Sequence, residues 1–228
     1  PSQPQRVAAL DASFTDATLM LDTKVVAFTE YNTLGSKLPD YLGASATNYG
    51  AEAQSVGKLA APSLEKIIAT KPDLIVSAKV RHAKEYAQLS GIAPTVFSET
   101  TGPTWKDNIR LLAKALGKET LAEQRLAEYE AQAKKVGDAV KAKSGPDTTI
   151  SVVRFLDGPT RLYAKKSFSG IVLQDAGLAR PESQNIDEFM TEISAERIPA
   201  ADGCRRVDMR PTSRPERQSS WRSESESP

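Results

Sequence analysis

Short apolar runs alternate with helix-like stretches along the first hundred residues of the chain. The apolar runs RVAAL, VVAFT, DLIVS and PTVFS have the length and composition of buried strands, and they lie at 6–10, 25–29, 73–77 and 94–98. Helix-type spacing lies between them, with starts marked by Thr15 and by Ser63, a candidate N-cap behind Pro62. This alternation predicts an α/β lobe built on a mostly parallel sheet.

The segment 104–147 differs, because helix formers fill it almost throughout. Apolar side chains recur there at helical spacing, first at Ile109, Leu112 and Leu116 and then at Leu126, Tyr129, Ala133, Val136 and Val140. Gly117 is a candidate C-cap between two helices, and Gly137 lowers the propensity of the second by about 1 kcal/mol relative to Ala. The pattern predicts a long α-helix that bridges two lobes.

A second β-rich region follows the bridging helices. The run TTISVVRF (148–155) reads as a strand, DGPTRLYA (157–164) as a hairpin and SGIVLQDAGL (169–178) as a helix. A faint repeat aligns 62–76 with 192–206, but the first copy runs into the strand DLIV and the second into CRRV, where we expect no buried strand. From Gly203 onward Arg, Ser, Pro and Glu dominate, and such a composition cannot offset the entropy of ordering.

Charge and the scarcity of Cys and His exclude several functions. Lys plus Arg number 30 against 29 Asp plus Glu, a net charge of +1, which disfavours nucleic acid or an anionic membrane as the main partner. The single Cys204 and single His82 exclude a disulfide framework, a zinc ribbon and an Fe–S cluster held by this chain alone, so we expect no metal bound by protein side chains. Because the chain begins with Pro1, we expect a leader segment to have been removed.

Four separated stretches occur in the order found in a known family. They are PSLEKIIATKPDLIV, SAKVRHAKEYAQLSGIAPTVF, TWKDNIRLLAKALGK and VVRFLDGPTRLYAKKSFSGIVLQDAGLARP. Over residues 6–202 the chain resembles the periplasmic-binding-protein-like receptors that deliver ferric siderophores to ABC importers, and most closely the hydroxamate (ferrioxamine) receptors of Gram-positive actinobacteria. The resemblance implies an extracytoplasmic, lipid-anchored monomer that performs no chemistry and closes only slightly on its ligand.

The resemblance also fixes the expected domain organisation. It implies two small α/β lobes with mostly parallel sheets, joined by a long α-helix: an N-terminal lobe at 1–103, bridging helices at 104–147 and a C-terminal lobe at 148–202. A family member would continue after Asp202 with an apolar strand, whereas this chain continues with Cys204 and a polar stretch. We therefore expect a truncated or frameshifted, incomplete second lobe and a disordered, non-family tail at 203–228.

Candidate ligand-binding residues follow the predicted strands of the first lobe, because α/β lobes bind ligands at the carboxyl ends of their strands. Arg81 follows DLIVS, and its guanidinium suits the oxygens of a metal-bound hydroxamate. Tyr31 and Phe14 follow the two preceding apolar runs, and Trp105 opens the helix after the fourth. The alternatives are a solvated Arg81, core aromatic rings, and a Trp105 that only packs the start of its helix.

Further candidates rest on the resemblance. It implies that Arg154, Tyr163, Ser167 and Phe168 face the ligand from the second lobe, the alternative being a turn with an exposed basic pair. It also implies that Glu65 and Glu196, paired in the repeat, dock arginines of the permease, whereas such residues are usually solvated in a helix's first turn.

The leading hypothesis is therefore a binding protein that captures a ferric hydroxamate siderophore, with the iron already wrapped in its chelator. The same class with cobalamin, haem or a catecholate complex as ligand stays open. An α/β enzyme is less favoured because no nucleophile and base can be paired, and an interaction module that uses the tail is a third possibility.

Overall fold

The computed structural model describes residues 3–31, 34–156, 158–194, 197 and the backbone strand 205–208. Its first lobe contains a five-stranded sheet in the order β3-β2-β1-β4-β5, with every pair parallel. The strands are β1 (Arg6–Ala9), β2 (Lys24–Phe28), β3 (Gln54–Ser55), β4 (Leu74–Ala78) and β5 (Thr95–Ser98). Because all five are parallel, their carboxyl ends lie at one edge of the sheet.

Helices cover both faces of this sheet, which explains its continuous apolar strands. They are α1 (Ala12–Met20), α2 (Gly43–Tyr49), α3 (Leu64–Ala69), α4 (Lys79–His82), α5 (Tyr86–Ser90), α6 (Trp105–Leu116) and α7 (Glu119–Ser144). On one face Val7 packs in a core with Phe14 and Leu112. On the other, Ala8 packs with Ile67 and Leu89.

The start of α1 corrects the sequence prediction, which marked it at Thr15. The helix begins at Ala12, because the side chain of Asp11 accepts a hydrogen bond from the Ser13 N–H at 3.0 Å and caps the first turn. The predicted cap at Ser63 is confirmed, since its side chain accepts from the Lys66 N–H.

The long bridging helix is confirmed as α7, and Gly117 ends α6 in the left-handed conformation at φ 63°. The apolar stripe predicted along α7 is buried only in part. Leu126 is 2% exposed against the first lobe, whereas Val136 is 48% exposed. A Cβ at Gly137 would lie 1.7 Å from the carbonyl oxygen of Ala176, so this glycine permits close helix contact.

The second lobe holds a sheet in the order β8-β7-β6-β9, with α8 (Phe168–Asp175) beside it. Its strands are β6 (Ile150–Arg154), β7 (Thr160–Tyr163), β8 (Met190–Ile193) and β9 (Arg205–Asp208). The β6–β7 hairpin is antiparallel, as is the β7–β8 pair, and β6 pairs with β9 in parallel. Two sheets joined by α7 confirm the predicted α/β architecture. The mostly parallel sheet expected in both lobes is found in the first, whereas two of the three described strand pairs in the second lobe are antiparallel.

Strand β9 corrects the expectation that the tail is disordered from residue 203 onward. Residues Arg205–Asp208 pair in register with β6, from Ile150↔Arg205 to Val153↔Asp208. A strand edge is completed by backbone hydrogen bonds, which polar residues supply as well as apolar ones, so RRVD can pair without filling a core. The remainder of the expected tail, 209–228, lies outside the described residues, as do Glu196 and Cys204.

Candidate ligand-binding cleft

The carboxyl edge of the first sheet brings together one polar residue after each strand. In strand order β1 to β5 these are Asp11, Tyr31, Lys58, Arg81 and Thr101. They border two cavities of about 770 and 620 Å³, here called the larger and the smaller cavity. Asp11 borders the larger cavity and is ion-paired to Arg81, which borders the smaller one, so the two cavities meet at this pair.

The larger cavity has mainly apolar walls and contains three of the predicted residues, Phe14, Trp105 and Phe168. Trp105 lies edge-on to Phe168 from the second lobe at 5.6 Å and to Tyr129 of α7 at 5.0 Å between ring centroids. Its indole Nε1 is shielded from solvent and makes no hydrogen bond within the described residues. Phe168 is 54% exposed, which leaves much of its ring open to a ligand.

The smaller cavity contains the other two first-lobe candidates, Tyr31 and Arg81, together with Glu30, Lys58 and a short loop at 58–60. The loop is held by the carbonyl of Leu59, which lies 2.7 Å from Nε2 of the buried His82. Because a carbonyl can only accept, that nitrogen carries a proton, and Nδ1 shares a second hydrogen bond with Ser77 Oγ at 2.7 Å. His82 therefore fixes the cavity wall.

Arg81 is held but still accessible. Its Nε donates to Asp11 Oδ2 at 3.0 Å, and Nη2 donates to Thr101 Oγ1 at 3.4 Å. The Arg81 side chain is 39% exposed, whereas that of Asp11 is 8% exposed. Nη1 makes no hydrogen bond within the described part of the chain, so the guanidinium retains donors for a ligand.

A second carboxylate, Asp16 of α1, accepts two phenol hydrogen bonds. Tyr31 Oη donates to Oδ1 at 2.5 Å and Tyr41 Oη to Oδ2 at 2.8 Å. Burial raises the pKa of Asp16, and the two hydrogen bonds offset this in part. Burial, followed by the hydrogen bond to Asp16, raises the pKa of both tyrosines, so their phenols stay protonated donors at neutral pH.

The second-lobe candidates are placed differently from the first-lobe ones. Arg154 Nη1 donates to the phenol of Tyr163 at 3.4 Å, and the Tyr163 ring lies edge-on to Phe189 at 5.7 Å. Phe189 in turn faces Gly102, which borders the larger cavity. Arg154 and Tyr163 border neither of the two cavities described above.

Ser167 has a local structural role at the start of α8. It is buried, its Oγ accepts from the Gly170 N–H at 2.9 Å, and it donates to the carbonyl of Ala164 at 2.7 Å. Capping orients the first turn of α8 and with it Phe168. Glu65 is exposed in the first turn of α3.

Several residues of the cleft were missed by the sequence reasoning, among them Asp11, Asp16, Tyr41, Lys58 and Thr101. Asp11 directly follows the first apolar run, so the rule that selected Arg81 would also have selected it. Asp16, Tyr41 and Lys58 do not directly follow a predicted strand, so only the fold shows that they lie at the cavities.

The described residues hold no group of three or more His, Cys, Asp or Glu side chains placed to bind a metal ion. Within the same residues, no helix combines the length and apolar character required to cross a membrane.

Comparison with known proteins gives the class of this chain. Residues 7–204 match the model of the family described as periplasmic binding protein, and the chain belongs to that family. It is 40% identical over 186 residues to the probable siderophore-binding lipoprotein YfiY of Bacillus subtilis (strain 168). This alignment covers 81% of this chain and 54% of the relative. The Fe(3+)-citrate-binding protein YfmC of the same organism is 30% identical over 204 residues, 87% of this chain and 61% of the relative.

A solved structure supports the same class. The crystal structure of Staphylococcus aureus SirA complexed with staphyloferrin B is 32% identical and superposes with a TM-score of 0.76, over 92% of this chain and 72% of SirA. The chain spans about half the length of the curated relatives it matches.

Proposed function

We propose that this chain is the ligand-binding part of an extracytoplasmic receptor that captures a ferric siderophore and delivers it to an ABC permease. The observation that carries the proposal is the pair of cavities at the carboxyl edge of the parallel sheet, one lined by aromatic rings and the other by Arg81, and linked by the Asp11–Arg81 ion pair. Clefts at this edge are the usual ligand sites of α/β lobes. The names of YfiY and YfmC support the ligand class.

Recognition then needs no protein-bound metal or cofactor, because the iron enters already chelated. Trp105 and Phe168 cover the apolar linkers of the chelator, whereas Phe14, which is 3% exposed, supports the cavity wall from the core. Tyr31 fixes the wall between the cavities through Asp16. Arg81 donates to the chelate oxygens. In this proposal Arg154 and Tyr163 approach from the second lobe, and Ser167 contributes by orienting Phe168.

We propose a hydroxamate as the siderophore type. Around the smaller cavity the cations Arg81 and Lys58 are matched by the carboxylates of Asp11 and Glu30. Such a balanced site favours a chelate of low net charge, and hydroxamate groups offset the charge of Fe(III), whereas a catecholate complex is strongly anionic. Ferric citrate is the second candidate, because YfmC carries that ligand in its name.

The proposal includes the partners of the receptor. Glu65 on α3 and Glu196 in the second lobe dock arginines of the permease, and a lipid anchor on a removed N-terminal segment holds a monomeric receptor at the membrane. Uptake assays with Glu65→Ala and Glu196→Ala combined, in a version with an intact second lobe, test the docking role. Normal uptake by this double variant would exclude it.

Titration of intrinsic fluorescence tests the ligand. Ferrioxamine, ferric citrate and a ferric catecholate are titrated in parallel, and we expect ferrioxamine to bind with submicromolar affinity and the catecholate more weakly. Equal or tighter catecholate binding would exclude the hydroxamate assignment, and tighter ferric citrate binding would favour the second candidate.

Arg81→Ala should weaken binding by about 1.5 to 3 kcal/mol, the range for a hydrogen bond to a charged group, with little change in melting temperature. The matched control is Arg110→Ala, because Arg110 is an exposed arginine of α6 that pairs with Glu123. A lower melting temperature with unchanged affinity per folded molecule would show that Arg81 is only structural.

A further inference from the structure

Asp11 occupies a special position, because it borders one cavity and contacts a residue that borders the other. It borders the larger cavity directly and reaches the smaller one through its ion pair with Arg81. The carboxylate is almost fully shielded from solvent, whereas the guanidinium that it contacts is well exposed. Charge on Asp11 therefore acts on the cleft with little solvent screening on its own side.

The orientation of Asp11 is fixed without help from Arg81. One carboxylate oxygen, Oδ1, accepts from both the N–H and the hydroxyl of Ser13, at 3.0 and 2.7 Å. This N-cap ties the side chain to the first turn of α1 and leaves Oδ2 facing Arg81. Asp11 is thus a preset acceptor, not a mobile surface counter-ion.

Arg81 is oriented by this acceptor. Its Nε donates to Asp11, and its Nη2 donates to Thr101 in the loop after the fifth strand. An arginine held through Nε presents its outer N–H groups in a fixed plane, which suits adjacent chelate oxygens. The pair offers directed donors with little net charge.

From this geometry we infer that Asp11 sets the charge selectivity of the cleft: it positions Arg81 for hydrogen bonding and offsets its charge, so that chelates of low net charge are preferred to anionic ones. The inference rests on the proposed siderophore-binding function. Asp11 acts through Arg81 and is a positioning residue.

The test compares two ferric chelates of different charge: ferrichrome, a neutral trihydroxamate, and anionic ferric dicitrate. Asp11→Asn removes the charge but retains an oxygen that can cap α1. We expect the ratio of dicitrate to ferrichrome affinity to rise about five- to tenfold, less than an unscreened charge would give because Arg81 is partly solvated. Asp11→Ser, which keeps a capping hydroxyl and also lacks the charge, should shift the ratio in the same direction.

Asp73→Asn is the matched control. Asp73 is likewise a carboxylate held by hydrogen bonds, which it accepts from the backbone N–H groups of Gln5 and Arg6, but it lies at the opposite edge of the sheet. Its replacement should leave the affinity ratio unchanged, so a ratio that shifts equally in both variants would overturn the inference.

A second readout needs no ligand. The Arg81 Nε–H signal in NMR spectra should exchange slowly with water in the native protein and faster in Asp11→Asn, with an unchanged melting temperature. An unaltered exchange rate of the Arg81 Nε–H would overturn the role of Asp11 but not the proposed function. An unaltered affinity ratio in an Asp11 variant that still binds both chelates would have the same meaning. A native protein that binds neither chelate would instead refute the proposed function, and the selectivity inference with it.

Discussion

Polar side chains at the strand ends hold one another before any ligand arrives. Asp11 binds Arg81, and Asp16 accepts hydrogen bonds from Tyr31 and Tyr41. A side chain already fixed by a neighbour loses less conformational entropy when it binds a ligand. Asp11, the N-cap of α1, and Asp16, within the helix, therefore preorganise the cleft and also contribute to its charge.

Asp16 leads to a prediction about pH. Burial raises its pKa above the usual 3.8, so the folded protein holds this proton at pH values where the unfolded chain has released it. Stability from this group is present at low pH and is lost as the pH rises from about 3.8 through the folded pKa. We expect Asp16→Asn to gain stability relative to the native protein between pH 3 and pH 7.

Urea unfolding at a series of pH values measures this difference. In the Asp16→Asn variant the amide oxygen can accept from one phenol and the amide nitrogen can donate to the other, so the local hydrogen bonds survive. Asp147→Asn, at an exposed site beyond the end of α7, is the control and should show no such trend. A stability difference between Asp16→Asn and the native protein that stays constant across the pH range would refute the argument.

Elements of the first lobe follow closely from the sequence. Its apolar runs lie on the parallel strands, and the long helix is where the 3.6-residue spacing placed it, because local propensity and burial agree there. The predicted start of α1 at Thr15 was wrong, because the Asp11 side chain caps the helix four residues earlier. Strand β9 was missed because its pairing is made by backbone groups, which leave no apolar signature.

The candidate site was predictable only where strands are parallel. Arg81 and Tyr31 could be assigned to one edge because β2 and β4 end there together. In the second lobe β7 runs antiparallel to β6, so the end of β6 at Arg154 and the loop at Ser167 lie toward opposite edges. A shared position for those two residues could not follow from strand ends alone.

Gly137 gives a prediction at the level of helix packing. Helix propensity alone predicts that Gly137→Ala stabilises α7 by about 1 kcal/mol. The carbonyl of Ala176 lies 1.7 Å from the position that the new Cβ would take, and backbone cannot rotate away as a side chain can. We expect a net loss of about 1 to 3 kcal/mol, the cost of overpacking a close contact.

Chemical denaturation of Gly137→Ala and of Gly158→Ala decides between the two effects. An added methyl group at Gly158, in the loop between β6 and β7, meets nothing within 4 Å, so that variant reports a glycine replacement without a steric clash. Increased stability of Gly137→Ala would mean that α7 and α8 do not pack as closely as the structure indicates.

At the scale of the whole molecule, the lobes are joined by more than the chain of α7. Lys106 of α6 pairs with Asp175 of α8 at 3.0 Å, and Tyr129 of α7 donates to the same carboxylate at 3.0 Å. The edge-on rings of Trp105 and Phe168 lie beside these contacts. Such links resist a wide hinge motion between the two lobes.

The second lobe depends on a strand contributed by the last described residues. Its sheet has four described strands, and β9 covers the edge of β6 that faces away from β7. Without β9, the apolar strand Ile150–Arg154 would present unpaired backbone groups at a sheet edge, a surface prone to non-native pairing.

A comparison of two shortened chains tests this role of β9. One ends after Asp202 and lacks the strand, and the other ends after Asp208 and keeps it. We expect amides in 150–153 to lose at least about tenfold in hydrogen-exchange protection in the shorter chain, because opening at a sheet edge needs less free energy. Amides of β4 in the first lobe should be equally protected in both chains, which makes them the internal reference. Equal protection of 150–153 in both would show that β9 adds nothing to the sheet and that the second lobe ends at Asp202.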